Sequence, residues 1–212
     1  MKTLAESYFY DCSHPSIQQF VERWTKPGDT PRQKAIDLYT AVRDGWRYNP
    51  YLIRFRKEDW QASRIMERPE GHCLDKAIIY LTCLRAVGIP ARIHLAKVRN
   101  HIAVEKMTKL LGTDVLTPHG MVDVQLDGQW LKTSPAFNRS LCEKLNVATL
   151  DFDGQSDSIF QEFDREGGQF MEYLEDYGAF DEFPLEFIID NFKTHYTRLT
   201  PDHFTDGLLE IK

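Results

Sequence analysis

Apolar residues along the first seventy positions recur with a helical period. Ile17, Phe20, Val21 and Trp24 stand at i, i+3, i+4 and i+7 and predict an amphipathic helix. Thr30-Pro31-Arg32-Gln33 predicts a second helix start: Thr caps, Pro sits first inside, and Gln completes a capping box. Ile36, Tyr39, Val42 and Trp46 continue it as a stripe, and Asn49-Pro50 turns the chain into a loop. Ser63 is expected to cap a short helix through Ile65-Met66, ahead of a turn at Pro69-Glu70-Gly71.

From Leu74 to Val87 the pattern changes. Ala77, Ile78, Leu81 and Leu84 form a broad face, and Ile79 and Tyr80 make the segment apolar nearly all round, which predicts a buried, central helix. Gly88 suits its C′ position, with Pro90 just beyond. Ala91 to Arg99 then alternates as a strand, and Val104, Met107, Leu110 and Leu111 suggest one inserted helix within 101–113. His119 to Leu126 alternates again, Asp127-Gly128 signals a hairpin, and Gln129 to Thr133 returns, ending at Ser134-Pro135. Helices with a mostly antiparallel sheet make the expected class α+β, in one domain over 1–212. In the last third, Phe170, Tyr173, Leu174 and Tyr177 keep helical spacing, and Gly167-Gly168 divides the segment.

Charge sharpens this picture. The chain of 212 residues carries a formal −6, which argues against a nucleic-acid binder. Residues 143–190 hold 14 acidic and two basic side chains, yet are rich in aromatics, so they read as folded with a solvated acidic face. No apolar run reaches the roughly 20 residues of a membrane span, no basic-then-apolar leader is visible, and a cytoplasmic location is expected. Metal-ligand spacings such as CxxC or HxxxH do not occur, and the acidic loop 151–157 reads as a turn, so neither metal nor cofactor is expected.

Of the four cysteines, Cys12, Cys73, Cys83 and Cys142, only Cys73 has a chemical setting. Cys83 falls inside the apolar helix and reads as core. Cys73 opens that helix, where free N–H groups and the helix dipole favour a thiolate, so its pKa is expected to be lowered. A thiol nucleophile needs a base. His119 is the best candidate, opening a strand 46 residues later with the small Gly120 beside it. His72 adjoins the cysteine but is expected to point elsewhere on the turn.

Two segments carry a family resemblance. Gly71-His72-Cys73-Leu74-Asp75-Lys76-Ala77, with Leu84-Arg85-Ala86-Val87-Gly88-Ile89-Pro90-Ala91-Arg92, resembles the cysteine segment of the transglutaminase-like superfamily. His119-Gly120-Met121-Val122-Asp123-Val124 and Leu126-Asp127-Gly128-Gln129-Trp130 are similar to its histidine strand and tryptophan-bearing return strand. The likeness covers about 60–137 and suggests a bacterial-type stand-alone domain. It implies a papain-like thiol fold, with the cysteine helix on the sheet, and a Cys-His-Asp triad used for transamidation, peptide hydrolysis or related acyl transfer. The implied substrates are peptides, proteins or small amides, with no nucleic acid or membrane partner.

One position departs from the family pattern. The aspartate would fall 15 residues after the histidine and before a proline, where this chain has Ser134. A serine can hydrogen-bond an imidazole but brings no charge to the imidazolium. Three readings stay open: Ser134 orients His119 weakly, Asn138 or Asp151 substitutes, or the site is an impaired module that binds a peptide or small ligand. In an active site the Cys73 N–H would help hold the oxyanion, with Trp46, Tyr48, Tyr51 and Trp60 as candidates for a second donor. With no visible device for excluding water, hydrolysis is favoured over transfer to an amine.

Overall fold

The computed structural model describes residues 2–102, 105–199 and 208–210. In chain order its elements are α1 (Pro15–Trp24), α2 (Pro31–Gly45), β1 (Arg47–Tyr48), β2 (Leu52–Arg54), α3 (Ala62–Met66), β3 (Glu70–Gly71), α4 (Cys73–Ala86) and β4 (Ala91–Asn100). They continue as α5 (Glu105–Leu111), β5 (Val115–Leu126), β6 (Gln129–Thr133), α6 (Arg139–Lys144), β7 (Met171–Phe180), α7 (Leu185–His195) and β8 (Leu208–Glu210). This is the expected α+β arrangement. A four-stranded antiparallel sheet, ordered β6-β5-β4-β7, carries α4 against β5.

The centre of the core is α4. Every residue from Cys73 to Arg85 is buried, as a helix apolar on all faces requires. Around it, α1 buries Ile17 and Val21, while α2 starts where Thr30 Oγ1 accepts the Gln33 N–H at 3.2 Å and buries Leu38, Tyr39 and Val42. Asp127 and Gly128 form the two-residue turn between β5 and β6, both with positive φ. Strand β1 pairs in parallel with β3, setting Tyr48 beside Gly71 at the approach to Cys73. Antiparallel pairing joins β2 to β8.

Two expectations fail. Ser63 lies inside α3, whose N-cap is Gln61, because the Ser63 N–H is taken by Asp11 Oδ1 at 3.1 Å. The helical spacing at Phe170, Tyr173, Leu174 and Tyr177 is also misleading, since these residues run into and along strand β7. Pairing with the exposed edge of β4, through Ile93↔Phe180 to Asn100↔Met171, overrides a periodicity that a short aromatic run fits equally well as a strand. The acidic segment therefore supplies a strand of the central sheet. No helix among the described residues is long and apolar enough to cross a membrane.

Candidate active site

Cys73 is the first residue of α4, as its sequence position predicts. The turn before it is closed by an unusual capping box. His72 Nδ1 accepts the Asp75 N–H at 3.2 Å, and Asp75 Oδ2 accepts the His72 N–H at 3.0 Å. Arg68 Nη1 reaches the other Asp75 oxygen at 3.3 Å. The expected lowering of the Cys73 pKa is not found. Burial pushes the thiol from 9.0 up to about 11, against hydrogen bonding from the Gly120 and Leu74 backbone, and the nearby Asp75 adds to the rise. The helix start is where it was expected, but desolvation outweighs it.

His119 sits on β5 opposite Ala96 of β4 and is 1% exposed. The residue after each of them makes the contact between the two segments, and neither His119 nitrogen hydrogen-bonds the Cys73 sulfur. A Cβ on Gly120 would stand 2.8 Å from Leu74 Cδ2 and 2.9 Å from Leu74 Cα, so β5 lies directly on the first turn of α4. Burial, with a smaller contribution from the neighbouring His72, lowers His119 to about 4. At rest the pair is therefore a neutral thiol and a neutral imidazole.

Ser134 stands behind the imidazole. Its Oγ is 3.4 Å from His119 Nε2, a long hydrogen bond, while His119 Nδ1 is buried and has no partner. Ser134 is held by its own backbone: its N–H donates to Ser158 O at 2.8 Å, and its carbonyl accepts from Tyr39 Oη at 2.9 Å. The two suggested substitutes are engaged elsewhere. Asn138 accepts the Tyr48 N–H at 2.9 Å and donates to Ser140 Oγ at 2.8 Å, whereas Asp151 pairs with Arg43. Among the described residues no carboxylate hydrogen-bonds His119.

A narrow crevice opens over the sulfur, with about 20 Å³ free, the scale of one water molecule. Of the four aromatic candidates for a second oxyanion donor, only Tyr48 lines it. Its hydroxyl is buried without a partner, and its ring is braced edge-on by Phe137 at 4.7 Å. Trp46 packs on Phe20, Tyr51 lies under Lys106, and Trp60 lies between His72 and Phe183. His72 does border the crevice, contrary to the expectation that it points away, although its ring serves as the helix cap.

Over residues 18–135, just over half of its length, the sequence matches the transglutaminase-like superfamily. The chain belongs to that superfamily. No curated protein matches it. A solved structure from Cytophaga hutchinsonii, described as that of a candidate cysteine protease, is similar at 15% identity with a TM-score of 0.47. The likeness covers 81% of this chain, which spans 62% of that one. The matched range includes Cys73, His119 and Ser134, and ends before β7 and α7.

In this superfamily member Lys76, part of the cysteine segment, has a structural role that its place in the sequence does not reveal. It is fully buried on α4, and its ammonium donates to Arg43 O at 2.7 Å, Trp46 O at 3.0 Å and Ala136 O at 2.7 Å. Burial lowers its pKa to about 7. All three donors are nonetheless satisfied, which ties the end of α2 and the loop after Ser134 to the cysteine helix. The available signal was a lysine in a helix that is apolar nearly all round. Phe192 and Tyr196, which also line the crevice, gave no such signal because they lie outside the matched range.

Proposed function

We propose that the chain is a thiol acyl-transfer enzyme that hydrolyses peptide or small amide bonds through a thioester on Cys73. The supporting observation is that the Leu74–Gly120 contact packs the strand that carries His119, whose Nδ1 is unoccupied, on the helix start that carries Cys73. In this reading His119 Nδ1 takes the thiol proton as sulfur attacks the acyl carbon. The tetrahedral oxyanion is held by the Cys73 N–H and the free Tyr48 hydroxyl. The imidazolium then protonates the departing amine, leaving the thioester, and water attacks with His119 again as base. Ser134 accepts the Nε2–H of the imidazolium without supplying charge. Because burial opposes both ionised forms, proton transfer is uphill unless it is coupled to attack of the sulfur on the acyl carbon. Four unpaired cysteines fit a reducing, cytoplasmic compartment.

A second reading, a module that binds without turnover, is favoured by the missing carboxylate behind His119. An activated ester such as p-nitrophenyl butyrate separates the two. An acyl adduct on Cys73, found by peptide mapping and lost in Cys73→Ala, is expected to turn over, and His119→Ala should slow turnover by at least about 100-fold. An adduct that persists selects the binding module. Hydrolysis that survives in Cys73→Ala defeats the thiol reading.

A further inference from the structure

The crevice over Cys73 is unusual in its chemistry as well as its size. Its walls come from Ile53 of β2, Leu111 of α5, Leu116 of β5, Phe192 of α7 and Tyr196, which caps the end of α7. No Asp, Glu, Lys or Arg among the described residues lines it. His72, which does, is kept neutral by burial. A charged substituent placed there would lose its hydration with no counter-charge in return. An apolar substituent would gain roughly fourfold in binding for each methylene fully buried.

The outer wall is attached close to the reacting groups. Thr117, two residues before His119, donates its N–H to Tyr196 Oη at 2.9 Å. Its hydroxyl donates to Asn191 Oδ1 at 2.8 Å and lies 3.0 Å from Tyr177 Oη, from which it can accept. Phe192 stacks on Tyr196 at 5.4 Å and meets Phe55 edge-on at 6.1 Å. Beyond the helix, Arg198 donates to Lys109 O of α5, which joins the two elements that border the crevice. About 20 Å³ cannot hold an acyl chain, so a substrate has to displace part of the wall.

We infer that this crevice is the acyl pocket of Cys73, that it takes an uncharged apolar acyl group, and that α7 is its outer wall, with Phe192 and Tyr196 setting how large a group is admitted. The inference rests on the thiol acyl-transfer reading and adds its substrate class. It also gives the acidic C-terminal third a role, since β7 and α7 carry the wall to the site.

Matched thiol reagents test it on the intact chain. Labelling of Cys73 is followed by peptide mass mapping, and each rate is divided by that of the same reagent with glutathione. Neutral iodoacetamide should exceed the anionic iodoacetate by about tenfold or more. Phe192→Ala should raise labelling by N-phenylmaleimide about tenfold and by N-ethylmaleimide less than about threefold. Fully buried Cys83 should stay unlabelled, showing that the fold holds. If Phe192→Ala exposes Cys83, the wall is tested by Tyr196→Phe, which removes only the hydroxyl at Thr117 and should speed every reagent at Cys73 alone. Equal normalised rates for iodoacetate and iodoacetamide overturn the proposal, as does a size ranking unchanged by Phe192→Ala with Cys83 still protected. Charge discrimination without an acyl adduct from the ester defeats the enzyme reading but leaves the pocket; turnover without discrimination does the reverse.

Discussion

At Cys73 two opposing effects can be compared directly. A helix N-terminus is worth about 0.3–1 kcal/mol to a negative charge. The rise from 9.0 to about 11 corresponds to about 3 kcal/mol against the thiolate, so burial decides the protonation state. Any activation must come from stabilising the imidazolium, and Ser134 leaves that task undone. Replacing Ser134 with Asp puts a carboxylate next to His119 Nε2, where the hydroxyl now stands at 3.4 Å. An opposite charge within about 4–6 Å raises an imidazole pKa by about 1–3 units. His119 should therefore rise from about 4, the thiolate–imidazolium pair should become more populated, and iodoacetamide should label Cys73 at pH 7 about tenfold faster. A rate unchanged or lower at every pH from 5 to 9 would show that the missing charge is not what restrains this site.

At the scale of elements, the site depends on how closely β5 approaches α4. Gly120→Ala would place its Cβ 2.9 Å from Leu74 Cα, a backbone atom that cannot rotate away. Strand and helix must separate, at a cost of about 1–3 kcal/mol in urea unfolding. Wild-type stability in this variant would mean that the contact is not what holds the two segments together. Gly120 was legible in the sequence as a small residue beside the histidine, and so were the Thr30 cap, the buried cysteine helix and the Asp127-Gly128 turn. These features are local and depend on residues a few positions apart. What the sequence concealed is held by distant partners. Strand β7 forms because β4 offers an edge, the α7 wall hangs on Thr117 from 74 and 79 residues away, and the thiol pKa depends on burial from several elements at once.

Over the whole molecule, holding His119 neutral carries a stability cost that depends on pH. Its pKa is about 4 when folded against 6.5 as the reference, so between these values the unfolded chain binds more protons than the folded one. Stability must then fall as pH drops from 6.5 toward 4, and a shift of about 2.5 units amounts to about 3 kcal/mol from this one nearly inaccessible ring. His94 acts in the opposite sense. Burial alone would lower it, but Asp123 at 2.9 Å and Asp176 at 2.7 Å hold both ring nitrogens and leave its pKa raised. Its contribution is therefore complete below about pH 6.5 and fades as pH climbs through the raised value. It also joins β5, β4 and β7, the strand that leads into the α7 wall. Comparing wild type with His119→Gln by urea unfolding from pH 7 to 4 cancels His94 and the likewise lowered His72, isolating the site histidine. The glutamine variant should gain on wild type by about 3 kcal/mol over that interval. A difference constant with pH would mean that the fold does not hold His119 neutral, and that burial is not what restrains proton transfer from Cys73.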